Sequence, residues 1–425
     1  MASQAASSSG AGNRVLIAIA GVVMQVALGA VYAWSVFQIP LEEHYGASSS
    51  AIKLTFSITI LTLGFAAFFG GLWMRSAGPR TVALAAGVLY GGGVLLAGLS
   101  SGSLVLLYLT YGLLGGIGIG LGYIVPIATL IKWFPDRRGF ITGVAVAGFG
   151  AGALVTTIIA RVVLATGIGV FTTFAILGLI YLVAVVGAAL FMKNPPEGWK
   201  PEGWEPDTSG EASAGTSGEN YVIRDALKTW QWYALWALLF LNVTAGISII
   251  SEASPMAQEI SGVGPNVAAG LVIIISIANA IGRFLWAWFS DAIGRKWVFF
   301  TMFVLQAVLF LLLPVVGLYF LLATVSFVIV SCYGGGFGTM PSFAADYFGS
   351  RDVGTIYGLM LTAWGVGGVL GPLLISYIID STQSYTLAFY IIAGIMVGSA
   401  IVAYIVRPPT RGSESPAAQP EGARA

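Results

Sequence analysis

The chain reads as an all-α integral membrane protein with twelve transmembrane helices in two six-helix, pseudo-symmetric bundles. Three observations predict this. The 425 residues are 57% hydrophobic and 9% charged, with a mean hydropathy of +0.89, whereas soluble domains carry roughly 25% charge. Apolar segments near the ~20 residues needed to span a bilayer recur along the chain. The two halves also repeat each other in order.

Met1–Asn13 is rich in Ser and Ala and is expected to be disordered. Arg14 then opens an apolar run too long for a signal-peptide core, so it is read as a retained first helix near 15–39. Segments near 51–74, 81–99, 103–131, 140–164 and 168–192 complete an N-terminal bundle over 14–192. Residues 193–228 hold NPPEGWKPEGWEPDTSGEASAGTSGEN, a composition expected of a disordered linker. The second bundle, 229–406, holds segments near 231–256, 267–289, 297–317, 319–345, 354–379 and 385–406. A Pro/Ala/Gly/Glu-rich tail, 407–425, is again expected to be disordered. The 57 glycines suggest close helix packing.

All 19 Lys and Arg except Lys53, Arg161 and Arg283 fall on one side of this arrangement. The positive-inside rule makes that side cytoplasmic, with both termini and the linker. A multi-pass protein of a bacterial-type inner (plasma) membrane is expected, functional as a monomer. MRSAGPR (74–80) matches SDAIGRK (290–296) at an offset of 216, and WFPDRRGFITG matches YFGSRDVGTIYG near 214. GGIGIGLGYIVP and GGGFGTMP, each a Gly-rich helix ending in Pro, fall between them. Six helices per repeat keep both halves in the same orientation, related by an axis along the membrane normal.

The composition also excludes classes. A net charge of +1 argues against a nucleic-acid partner. The lone Cys332 forbids an internal disulfide, and the lone His44 rules out a histidine metal cluster. GGIGIGLG lies inside an apolar helix with no preceding strand, so it is not a nucleotide loop. Neither a Walker motif nor a Ser/His/Asp set is present. The chain is therefore read as no enzyme, with no cofactor and no metal. No ring of like charges suggests an ion channel, and neither linker nor tail could fold as a signalling domain.

One charge stands out. Arg283 lies within VAAGLVIIISIANAIGRFLWAWF (267–289), with no acid in that stretch. A charge at membrane depth costs at least ~2.5–3.5 kcal/mol. Asp291 marks the end of the helix eight residues later, about 12 Å at ~1.5 Å per residue, which puts Arg283 near the bilayer centre. Its guanidinium suits a carboxylate held by two parallel hydrogen bonds. The position 216 residues earlier is Ala67, so the charge is one-sided.

These residues resemble a family. Two six-helix halves, a central linker and SDAIGRK after helix 8 are similar to the major facilitator superfamily, whose fold is therefore expected. The matching motif after helix 2 carries Arg75 where an acid is usual. KWFPDRRGFITGVAVAGFGAG (132–152), VYAWSVF (31–37) and ANAIGR resemble the monocarboxylate porters and the related oxalate–formate exchangers. That resemblance implies a secondary transporter of small monocarboxylates such as lactate or pyruvate, coupled to protons by alternating access, with Arg283 holding the carboxylate. The alternative it implies is an organic-anion exchanger of the oxalate–formate type. Departures exist: Asn279 stands where many animal members have an acid, Val36 where they have a lysine, and Trp364 where oxalate exchangers carry a second cation.

Further substrate-binding candidates follow. Asn279 and Ser276 share the Arg283 stripe at four and seven residues' spacing. Tyr123 and Phe337 are equivalents at an offset of 214, with Tyr333 one turn from Phe337. Gln25, Leu28 and Tyr32 form a stripe on helix 1, and Trp364 lies in helix 11. Asn242 and Thr244 on helix 7 are weaker candidates. Glu252, the acid well within helix 7, is the proton-coupling candidate. Asp291, Arg295, Arg137, Arg138, Asp346 and Arg351 are candidate gate charges. The expected partners are a small monocarboxylate anion, a proton and the lipid bilayer.

Overall fold

A computed structural model of the chain describes residues 14–201, 219–382 and 384–410. The N-terminal segment, the middle of the linker and the end of the tail lie outside the described residues. Helix 1 is built in three parts: Arg14–Leu28, a 3-10 turn over Gly29–Ala33, and Ser35–Tyr45. Helix 4 likewise joins Leu104–Leu107, a π-helical stretch Tyr108–Gly115 and Gly116–Trp133. Helices 5 and 6 are Arg138–Ala165 and Gly169–Ala189. In the second half, helices 7 to 10 are Trp230–Ser261, Pro265–Ile293, Arg295–Leu312 and Tyr319–Phe348. Helix 11 breaks at Leu361 into Val353–Met360 and Thr362–Thr382, and helix 12 is Tyr385–Ile405.

Eleven helices are long and apolar enough to cross a membrane among the described residues. One of them, within Ser49–Ala97, is two helices in one. At 49 residues it would be about 73 Å long, more than twice the ~30 Å hydrocarbon core. Gly78 breaks it with φ 78° and ψ 165°, just before Pro79. Only glycine adopts such a positive φ readily, and proline cannot continue a helical hydrogen-bond ladder. Helices 2 and 3 meet there, which gives twelve membrane-length helices among the described residues.

Backbone-to-backbone contact brings the functional helices together. A Cβ on Gly338 would overlap the Arg283 carbonyl, one on Gly334 the Asn279 carbonyl, and one on Gly282 the Ser331 carbonyl. Helices 8 and 10 thus touch along their main chains, which sets Arg283 beside the helix-10 aromatics. Gly29 lies against the Phe149 carbonyl in the same way, so the 3-10 turn of helix 1 lies on helix 5. The two bundles meet along helices 2 and 11 and along helices 5 and 8. Gly71 faces the Gly354 carbonyl in the first pair, and Gly139 faces the Ala287 carbonyl in the second.

The described ends of the 193–228 segment are folded, contrary to their composition. The Trp133 indole donates to the Lys193 carbonyl at 2.7 Å, and Trp199 packs on the Trp133 ring. Tyr221 donates its amide to the Phe348 carbonyl, and Ile223–Ala226 forms a short helical turn. Tryptophan and tyrosine bury apolar area that averaged composition conceals.

The helix 8–10 contact yields a prediction. Gly338→Val should lower the thermal midpoint by several degrees or prevent folding, since overpacking costs about 1–3 kcal/mol. Gly92→Ala, where a Cβ meets nothing within 4 Å, should leave the midpoint unchanged or slightly raised. Thermal unfolding in detergent checks both.

Candidate functional site

Arg283 is fully buried, and it and Asp352 are the only charged side chains in that class among the described residues. Its Nε donates to Asn279 Oδ1 at 3.1 Å. That bond fits the four-residue spacing, which stacks the two side chains on one helix face. Nη2 reaches the Tyr32 hydroxyl at 3.5 Å, a long contact. Nη1 is buried and has no hydrogen-bond partner.

Aromatic rings close around the guanidinium. Its carbon lies 4.9 Å from the Phe337 centroid, 5.4 Å from Phe149 and 5.9 Å from Tyr32. These are cation–π distances, stabilising by roughly 0.5–2 kcal/mol each. Trp364 packs on Phe337 at 4.8 Å and on Tyr123 at 5.6 Å. Tyr123 meets Phe149 edge-on at 5.1 Å. The Tyr32 and Tyr333 hydroxyls lie 3.4 Å apart, and the phenols of Tyr32, Tyr123 and Tyr333 all interact with the guanidinium. Rings from helices 1, 4, 5, 10 and 11 therefore surround a charge from helix 8.

Local structure explains how these side chains converge. The 3-10 turn of helix 1 carries Tyr32, and the break at Leu361 precedes Trp364. Gln25 is buried and donates to the Tyr123 carbonyl at 3.1 Å, so it holds helix 4 and leaves its own oxygen unpaired. Leu28 is buried against Gly122. Asn242 donates to the Tyr333 carbonyl and accepts from Gln306; it braces helix 10 from behind.

Two expectations need correction, those for Ser276 and Thr244. Ser276 does not join the cluster: it is exposed, and its hydroxyl donates to Val272 O at 2.7 Å. It shares the Arg283 face but sits about 10 Å further along the helix. Glu252, the proton-coupling candidate, accepts from the Tyr385 hydroxyl at 3.3 Å, toward helix 12. Thr244 caps back onto its own helix at the Phe240 carbonyl. Two residues were missed. Phe149 is the equivalent of Trp364 at an offset of 215, so the repeat contained the signal. Tyr357 is buried, its hydroxyl unpaired, and it interacts with Tyr123 and Arg283.

The basic end of the bundle carries a charge network. Arg295 pairs with Asp291 at 2.6 Å and with Asp346 at 2.9 Å, and Arg138 reaches Asp346 at 3.1 Å across the two halves. Asp291 also accepts from the Gly139 and Phe140 amides at 2.9 and 2.7 Å. Those are free donors at the start of helix 5, where negative charge is favoured. Arg137 and Arg351 do not join: both are exposed, and no ion pair is formed by either among the described residues.

The second inter-half junction uses opposite signs. Arg75, the equivalent of Asp291 at an offset of 216, pairs with Asp352 at 3.3 Å. Asp352, the equivalent of Arg138 at 214, stands at the N-cap of helix 11. Lys132 also acts on it. The departure at Arg75 is therefore matched by an acid on the facing helix.

Twelve crossings and a buried, charge-bearing polar centre between two repeats define a multi-pass membrane transporter rather than an enzyme. The model of the Major Facilitator Superfamily matches residues 17–276 and 235–424, and the chain belongs to that family. The oxalate:formate antiporter of Oxalobacter formigenes is 27% identical over 85% of this chain and 84% of its own. The apicoplast pyruvate carrier 1 of Toxoplasma gondii is 24% identical over 81% and 80%, and rat monocarboxylate transporters are similar as well. Among solved structures, the transporter FucP in its outward conformation superposes with a TM-score of 0.69. It is 15% identical, over 91% of this chain and 97% of that one.

Two predictions follow from the charges. Arg283→Met should keep or raise the thermal midpoint of the ligand-free protein, because it removes the desolvation cost of a buried charge that no acid offsets among the described residues. A drop of many degrees would make the arginine a structural element instead. Arg75→Asp should loosen the junction with Asp352, and Arg75→Asp with Asp352→Arg should restore it. Accessibility of cysteines introduced at this face, read by labelling rate, follows both steps.

Proposed function

We propose that this protein is a secondary active transporter of small monocarboxylates of the lactate and pyruvate type, moving the anion with a proton by alternating access. The observation that carries the proposal is the buried Arg283 guanidinium with Nη1 unpaired. A buried charge-assisted donor without a partner costs several kcal/mol. A carboxylate removes that cost by accepting from Nη1 and Nη2 together, in the bidentate geometry that lysine cannot supply. Asn279 and Tyr32 orient the guanidinium, and the rings of Tyr123, Phe149, Tyr333, Phe337 and Trp364 form an apolar wall for a short carbon chain.

The basic face is the cytoplasmic one in this reading, with both termini, in a bacterial-type inner membrane. The charge network of Asp291, Arg295, Asp346 and Arg138, together with the Arg75–Asp352 pair, then holds the cytoplasmic side shut. Rocking of the two repeats breaks these contacts and opens the site inward.

An oxalate–formate type of exchange is the second reading, supported by the antiporter relative. It meets one obstacle. A dianion favours two cations, and among the described residues Arg283 alone is charged at this depth.

Uptake of lactate or pyruvate into proteoliposomes should rise several-fold when an inward proton gradient is imposed. Uptake that needs an internal counter-substrate and ignores the gradient supports exchange instead. Arg283→Ala should abolish uptake, and Arg283→Lys should reduce it more than tenfold. Full uptake by the alanine variant would remove Arg283 from the site.

A further inference from the structure

Among the described residues, the buried side-chain atoms without a hydrogen-bond partner include Arg283 Nη1, the Tyr123 hydroxyl and the Tyr357 hydroxyl, all at the centre of the protein. Native proteins pair most buried polar groups with protein or ordered water, and these three share one region of the bundle. The Tyr123 hydroxyl lies near both the Arg283 guanidinium and the Tyr357 hydroxyl without completing a well-formed hydrogen bond to either. Helix packing explains why. Helices 4 and 11 run antiparallel and touch where a Cβ on Gly354 would meet Ala128 at 3.1 Å. From that contact Tyr123 is five residues outward along helix 4, and Tyr357 is three residues outward along helix 11. At ~1.5 Å per residue the two phenols come to similar depth. Both residues are fully buried.

We propose that Tyr357, with Tyr123, forms a second polar subsite that takes an oxygen on carbon 2 of the substrate, making Tyr357 a specificity-determining residue. This rests on the assignment of Arg283 to the carboxylate. A phenol can both donate and accept, so the pair serves a 2-hydroxyl and a 2-oxo group alike. Neither phenol carries charge, which favours a neutral second oxygen over a second carboxylate. A carboxylic acid with an oxygen on carbon 2 satisfies all three orphan atoms at once. An acid of the same length lacking that oxygen satisfies Nη1 and leaves the phenols bare. Sites built to hydrogen-bond a substrate oxygen discriminate strongly against analogues that lack it.

The test uses equilibrium binding of lactate, pyruvate and propionate to the purified full-length protein and to Tyr357→Phe. The wild type should bind lactate and pyruvate at least tenfold more tightly than propionate. Tyr357→Phe should bring that ratio to within about twofold while propionate affinity stays unchanged. Tyr123→Phe should reduce the ratio in the same direction, which guards against a folding defect peculiar to one variant. An unchanged ratio in Tyr357→Phe overturns the subsite while leaving the carboxylate assignment standing. A parallel fall for all three acids overturns it too, since that marks a structural role. Absence of binding of any of the three to the wild type overturns the monocarboxylate reading, and the subsite with it.

Discussion

A guanidinium buried in the middle of an apolar bundle, with one of its nitrogens unpaired, governs the arrangement of everything near it. Arg283 cannot snorkel: it is fully enclosed, about 12 Å from the helix end marked by Asp291. Its charge has to be met locally. Asn279 holds one edge through Nε, and Phe149, Phe337 and Tyr32 offer ring faces. No carboxylate pairs with it among the described residues. These contacts orient the charge without neutralising it, and in the proposed function an anion meets it at Nη1. The main-chain approach of helices 8 and 10 at Gly282, Gly334 and Gly338 serves the same end, because it brings Tyr333 and Phe337 within reach.

The two ends of the molecule handle charge differently. In the centre, one buried cation has no acid paired with it among the described residues. At the basic face, acids and bases are paired across the bundles. Those pairs repeat with reversed sign: Asp291 against the amides opening helix 5, and Arg75 against Asp352 at the start of helix 11. Partly exposed pairs of this kind contribute little each. That suits contacts which the proposed cycle makes and breaks.

Much of this was legible in the sequence because it depended on contrast. A single arginine among apolar residues, an asparagine one turn away and tryptophan at a helix-11 position all differ from their surroundings. The twelve crossings were legible too, although helices 2 and 3 are continuous but for Gly78. Features without contrast were harder to read. Phe149 and Tyr357 are aromatic residues in helices full of apolar side chains, and only the repeat offset singles out Phe149. Ser276 shows the limit of stripe reasoning: seven residues return to the same face but not to the same depth. Glu252 shows that a helix presents several faces, and that an acid in helix 7 can look toward helix 12. The packed ends of the linker depend on Trp199 and Tyr221, individual aromatics that composition averages away.

The central claim is that Arg283 Nη1 holds the carboxylate of the transported anion. A structure of the protein with lactate bound tests it most directly. The account predicts a carboxylate oxygen about 2.7–2.9 Å from Nη1, the range of a charge-assisted hydrogen bond, with the Asn279 contact to Nε retained. Lactate bound elsewhere in the bundle, with Nη1 still unpaired, would contradict it.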